Sequence, residues 1–207
     1  MKHIAIVTIL TAVGLTGACA SSPDATNKTT NTVAANTTSN TAANVAPKTD
    51  EETPATVKAA FPDAQSFTKQ HKDLTDAQIA SIEKDTSSKV PDKDHHSYLA
   101  FSTTGGTRKQ LGAATVIKAD GKDYVIVYEN KDGSPVIKEV RDGGGGGAMP
   151  SPLFLKQFVG KGHDDDLLLG ADIKANGANE AQAKAITEAV RVDVLTMQAL
   201  YGAAHKH

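Results

Sequence analysis

Apolar positions along the second three-quarters of the chain recur with two periods. Residues 57–60 make a short helical run that must stop before Pro62. Residues 65–70 read as a strand. Thr75-Asp76-Ala77-Gln78 is a capping-box pattern, with Thr75 as N-cap and Gln78 reaching back. It predicts a helix to about Thr86, with Ile79 and Ile82 on the inner face. Residues 97–102 and 111–119 read as strands, and Ala119-Asp120-Gly121-Lys122 as a hairpin turn. The strongest strand signal is residues 124–128, carrying Val125, Ile126 and Val127. A turn at Asp132-Gly133, within residues 130–134, leads to a partner strand over residues 135–141. Simple alternation puts Val136, Lys138 and Val140 on one face of that strand and Ile137 and Glu139 on the other. Consecutive strands joined by tight turns predict an antiparallel meander.

Five consecutive glycines, residues 143–147, are expected to end regular structure there. A short helix follows over residues 153–159, with Phe154 and Phe158 on one face at i, i+4. Gly160-Lys161-Gly162 ends it. Residues 179–200 carry the longest helical pattern. Ile186, Val190, Val194, Met197 and Tyr201 form its apolar stripe, expected to pack in the core, with Glu180, Lys184 and Glu188 on the opposite side. Helices flanking an antiparallel sheet predict an α+β domain over residues 55–207.

The first quarter has another character. Residues 20–54 hold nine Thr, seven Ala, five Asn and three Ser, with no Leu, Ile or aromatic residue. Such a segment cannot bury enough apolar surface to offset the entropy of ordering, so residues 19–54 read as a flexible tether. Ahead of it, Lys2 and His3 precede an apolar stretch, residues 4–15, that is too short to span a bilayer and the right length for a signal peptide over residues 1–18. The chain has one Cys, and Leu15-Thr16-Gly17-Ala18-Cys19 resembles a bacterial lipobox. Leu15 stands one position further from the Cys than in the commonest form. The resemblance implies that Cys19 is lipid-modified and that a lipid anchor holds the protein to a membrane. With Ala20-Ser21 and no Asp after Cys19, it implies the outer membrane, facing the periplasm.

Composition narrows the chemistry. A formal net charge of −2 gives no support to a nucleic-acid grip. One Cys excludes a disulfide framework and an Fe–S site built from this chain alone. His95-His96 follows Asp92 and Asp94, and His163 precedes Asp164-Asp165-Asp166; both invite a metal reading. Adjacent strand side chains point to opposite faces, however, and the spacing fits no short metal motif. Solvated loops are the expected setting, and no metal is expected. No Ser/His/Asp arrangement, P-loop or pair of catalytic acids stands out.

Several segments, in order, carry a family resemblance. Residues 154–161 read Phe-Leu-Lys-Gln-Phe-Val-Gly-Lys, similar to the F-L-x-Q-F-x-G-K stretch of FMN-binding domains. That superfamily includes the flavin-carrying subunits of Rnf complexes and of the sodium-pumping NADH:quinone oxidoreductase. Residues 169–175 and 185–190 resemble the family's stretches on either side of its S-G-A-T signature. Phe61-Pro62-Asp63-Ala64 and the strand pair around Asp132-Gly133 also fit. In the family, the Thr of S-G-A-T carries the FMN phosphate as an ester. Here the signature reads Asn176, Gly177, Ala178, Asn179, and an amide cannot form that ester. The resemblance then implies non-covalent FMN, with the phosphate at the N-terminus of the last helix. The glycine run stands where Rnf-type members have E-T-P-G-L-G near the flavin. It implies Gly146, Gly147 and Met149 as further contacts, whether as a mobile lid, a backbone cradle or only a spacer.

The expected function is therefore that of an envelope lipoprotein that carries electrons on FMN between redox partner proteins, rather than a stand-alone catalyst. The alternative is a flavin-free binding or assembly lipoprotein that keeps only the fold.

Overall fold

The computed structural model describes residues 53–203. Cys19, the signal segment and the tether up to residue 52 lie outside the described residues. Thr53 is buried, and the carbonyl of Pro54 accepts from the N–H groups of Val57 and Lys58. Packing thus reaches two residues ahead of the expected start at residue 55.

Five strands form one antiparallel sheet in sequence order: β1 (Ser66–Asp73), β2 (Asp94–Thr104), β3 (Thr107–Ala119), β4 (Lys122–Lys131) and β5 (Ser134–Gly145). Among the described residues four helices accompany it: α1 (Ala55–Ala60), α2 (Asp76–Thr86), α3 (Pro152–Lys156) and α4 (Glu180–Tyr201). The α+β architecture is thus present as a plain meander. None of the described helices is long and apolar enough to cross a membrane.

Both faces of the sheet are covered, which is why β4 reads as a continuous apolar run rather than an alternating one. On one face, Tyr124, Ile126 and Tyr128 pack with Ile137, Phe154, Phe158 and the α4 stripe. On the other, Val125 and Val127 pack with Val57, Phe61, Phe67 and Tyr98. A third cluster, Leu74, Ile82 and Val192, joins α2 to α4. The capping box at Thr75 forms with both of its bonds.

Three local expectations are corrected. Strand β2 begins at Asp94, three residues earlier than expected, so His95 and His96 lie in a strand and not in a loop. In β5 the register with β4 shifts so that Tyr128 pairs Ile137 and Val127 pairs Glu139. Lys138 is the extra residue of this bulge. Ile137 and Val140 consequently share one core, against simple alternation. Finally, the glycine run does not end the strand at once. Its first three residues belong to β5, and Gly143 is the extra residue of a second bulge between Asp142 and Gly144. A Cβ at Gly143 would lie 2.7 Å from the Asp123 carbonyl carbon, so only glycine lets the two backbones meet here. Asp142 Oδ1 accepts from Gly144 N at 2.8 Å and fixes the bend.

Candidate functional site

Residues 176–179 form the exposed turn that leads into α4. Asn179 is the N-cap: its Oδ1 accepts from Gln182 N at 2.8 Å, and its carbonyl accepts from Ala183 N. Gly177 has φ +81°, and its missing side chain is used by a neighbour, since a Cβ there would overlap the Ser151 side chain. Ser151 N donates to the Gly177 carbonyl at 2.7 Å, and Gln182 Nε2 donates to the Ala148 carbonyl at 2.8 Å. One hydrogen bond thus ties the turn, and a second the first turn of α4, to the segment that follows the glycine run. Gly146 and Gly147 are exposed bends beside it. Met149 is half-buried and packs against the main core.

The segment resembling F-L-x-Q-F-x-G-K has a structural task at each of its marked positions. Phe154 and Phe158 are fully buried, with rings edge to face at 5.5 Å. Gln157 exchanges two hydrogen bonds with Lys174, its Oε1 accepting from Lys174 N at 2.9 Å and its Nε2 donating to the Lys174 carbonyl at 2.8 Å. That clamp fixes the stretch just before the turn. Gly160 N donates to the Ile137 carbonyl, and Ile137 N to the Lys161 carbonyl, which docks the segment on the β5 bulge. Lys161 Nζ reaches Asp172 at 3.0 Å and Asp165 at 3.2 Å. Burial works against the Lys161 charge, but the two carboxylates outweigh it and raise its pKa. Burial likewise pushes the Asp172 pKa up, and the Leu168 N–H with Lys161 more than reverses it, leaving the carboxyl below its ordinary value.

A wide cleft among the described residues lies elsewhere. It measures about 590 Å³ and runs between α4, from Ala185 to Thr196, and the strands β2 and β3. None of residues 146–149 or 176–179 lines it. At its floor Asp193 is buried on α4. Its Oδ2 accepts from Thr115 Oγ1 at 2.6 Å and from Tyr128 OH at 2.7 Å, and its Oδ1 meets His95 Nε2 at 3.1 Å. Burial, then the Asp193 charge, pushes the Tyr128 hydroxyl well above its usual range. His95 Nδ1 is buried with no partner among the described residues.

The other face of β2 carries a different group. His96 Nε2 lies 2.8 Å from Asp94 Oδ2, and His71 Nδ1 on β1 lies 3.2 Å from the same oxygen. The loop at His163 goes its own way: His163 Nε2 pairs with Asp164, and the loop walls a pocket of about 190 Å³ with Asp85 and Arg191.

No model of a known protein family, no curated protein and no solved structure matches the chain.

The resemblance nominates Gly146, Gly147 and Met149 together with residues 176–179; the bonds nearest them run from Ser151 to Gly177 and from Gln182 to Ala148. Sequence reasoning missed Asp193 and His71. Asp193 was hidden because a single Asp in a helix reads as solvated. The signal was there: Asp193 falls at the helical spacing of Val190, Val194 and Met197, on a side that is buried. His71 gave no local signal. Its meeting with His96 depends on the β1–β2 register, which a 20-residue connection containing α2 does not fix.

Proposed function

We propose that this chain is a lipid-anchored protein of the bacterial envelope, on the periplasmic face of the outer membrane, whose domain binds FMN non-covalently and carries electrons between redox partners. The supporting observation is the pair of bonds Ser151 N to Gly177 O and Gln182 Nε2 to Ala148 O. They join Ser151 and Ala148, beside the nominated Gly146, Gly147 and Met149, to Gly177 and the first turn of α4. The residues fit a phosphate: the first turn of a 22-residue helix offers N–H donors and the positive end of its dipole. Asn179 spends its amide oxygen on the cap, so its amide N–H donors are the side-chain groups suited to an anion. Bound FMN supplies one- or two-electron transfer. The protein's part is to hold the ring and phosphate and to exclude competing reactions.

Such an anchor typically contributes 0.3–2 kcal/mol, about 2- to 30-fold, so affinity of micromolar or weaker is expected. Gly177 is a poor test position because Ser151 already needs the space. Asn179→Asp is better. It keeps an N-cap acceptor and places a negative charge against the phosphate. The full-length protein is titrated in detergent with FMN and with riboflavin. FMN should bind about 2- to 30-fold more tightly than riboflavin, and Asn179→Asp should abolish that difference without lowering the melting temperature. Equal curves for the two ligands rule out the phosphate anchor. Acid precipitation of loaded protein should leave the yellow colour in the supernatant. The anchor is tested separately: mass spectrometry should find diacylglycerol on Cys19, and Cys19→Ala should leave the membrane fraction.

A second reading is favoured by the cleft of about 590 Å³, which excludes the turn. There the protein is a flavin-free binding or assembly lipoprotein, and the space between α4 and β3 takes its ligand. Absence of FMN and riboflavin binding at millimolar concentration selects it.

A further inference from the structure

The structure assigns a divalent-cation site to His71, Asp94 and His96, for a late first-row metal of the Zn²⁺ class. The antiparallel register sets His71 of β1 opposite His96 of β2, and Asp94 precedes His96 by two residues. All three side chains therefore stand on one face of the sheet by strand alternation. It is the face away from α4, since His95 and Ser97 of the same strand turn toward Asp193 and Tyr201. One ligand atom from each residue lies within 4.8 Å of the others.

The spacing suits a small cation. Metal bonds of about 2.0–2.1 Å in a tetrahedral site put neighbouring ligand atoms about 3.3–3.4 Å apart. Asp94 Oδ2 is 3.2 Å from His71 Nδ1 and 2.8 Å from His96 Nε2, so these two separations lie within about 0.6 Å of that spacing. The two imidazoles meet edge to face, with centroids 4.2 Å apart and planes at 63°, which aims one nitrogen of each at the same oxygen. The second carboxylate oxygen, Asp94 Oδ1, is buried and has no partner among the described residues. A bare, desolvated carboxylate oxygen is disfavoured, and a cation at Asp94 relieves it. The charges nearby are mixed, with Lys69 two residues before His71 on the same face of β1. Asp73 pairs with Asp94 in the register and lies on the His71 face, while the nearby Lys93 is drawn to Asp76 at 3.3 Å. Two imidazoles with one carboxylate select Zn²⁺, Cu²⁺ or Ni²⁺ over Mg²⁺ and Ca²⁺, which prefer all-oxygen shells. Three protein ligands leave a fourth position for water or an external ligand.

The test uses the full-length chain in detergent, titrated with ZnCl₂ by calorimetry with millimolar Mg²⁺ present. Histidine ring resonances are followed in parallel in the wild-type protein. Zn²⁺ should bind and perturb His71 and His96 before His95 or His163. His71→Gln, His96→Gln and Asp94→Asn should each weaken it at least tenfold while keeping the wild-type circular dichroism. A His205→Gln/His207→Gln control should bind as wild type. Ca²⁺ should not compete at millimolar concentration. Undiminished Zn²⁺ affinity in the three single variants overturns the assignment. So does loss of binding in the tail control, no binding at 1 mM Zn²⁺, or a wild-type spectrum in which His71 and His96 do not move.

Discussion

A single carboxylate at Asp193 organises the polar interior, because three side chains from three strands converge on it. Removing it strands Thr115 and Tyr128, whose hydroxyls sit in buried surroundings. Asp193→Ala should cost about 2–4 kcal/mol, since an unpaired buried group costs about 1–3 kcal/mol. Urea unfolding measures it, and a loss under 0.5 kcal/mol would contradict the role. The Lys161–Asp172 pair is the second such residue-level device. Lys161→Met leaves the Asp172 carboxyl with its backbone donors only and should cost about 1.5–3 kcal/mol, the range for hydrogen bonds to charged groups.

Among the elements, the glycine run divides into two parts with different tasks. Gly143 is the bulge residue against β4, whereas nothing lies within 4 Å of a Cβ built at Gly146. Gly143→Ala forces atoms into the Asp123 backbone and should destabilise by about 1–3 kcal/mol. Gly146→Ala should be neutral or stabilise by up to about 1 kcal/mol, by reducing the freedom of the unfolded chain. Thermal melts of the two variants check the contrast, and similar shifts would remove it. At the start of α4, Asn179→Ala should cost about 1 kcal/mol through loss of the cap. Asn179→Asp, which keeps an acceptor, should not.

For the molecule as a whole, the ionisable groups bound the pH range of stability from both sides. Asp172 and Asp142 have lowered pKa values: in Asp172 burial is outweighed by the Leu168 N–H and Lys161, and in Asp142 the Gly144 N–H leads, followed by Lys122. A carboxyl lowered on folding contributes stability above its unfolded value of about 3.9, and that contribution is lost as pH falls through the folded value. Lys161 and Tyr128 have raised values. Their contribution is full below the unfolded values of about 10 and is lost as pH rises through the folded ones. These four groups should therefore make stability fall below about pH 4 and above about pH 10. Urea midpoints across pH 3–11 test this. In Lys161→Met the acid-side fall should be shallower, because Asp172 then gains less from folding.

How much of this was legible follows from the range of each interaction. The sequence alone determined the α+β class, the Thr75 cap, the tight turns and the α4 stripe, because propensity, capping and periodicity act over a few residues. The same local signals marked the turn at residues 176–179 as a helix start. Gly105-Gly106, a two-residue hairpin turn that extends β2 and β3, was written just as plainly and went unread. Only the tertiary structure decided the two bulges in β5, because pairing against β4 sets them and alternation within one strand cannot. It also decided that Gly177 answers to Ser151, that the large cleft lies along α4, and that His71 meets Asp94 and His96. Each of these depends on the register or packing of segments far apart in the chain, where a shift of one residue turns every side chain to the opposite face.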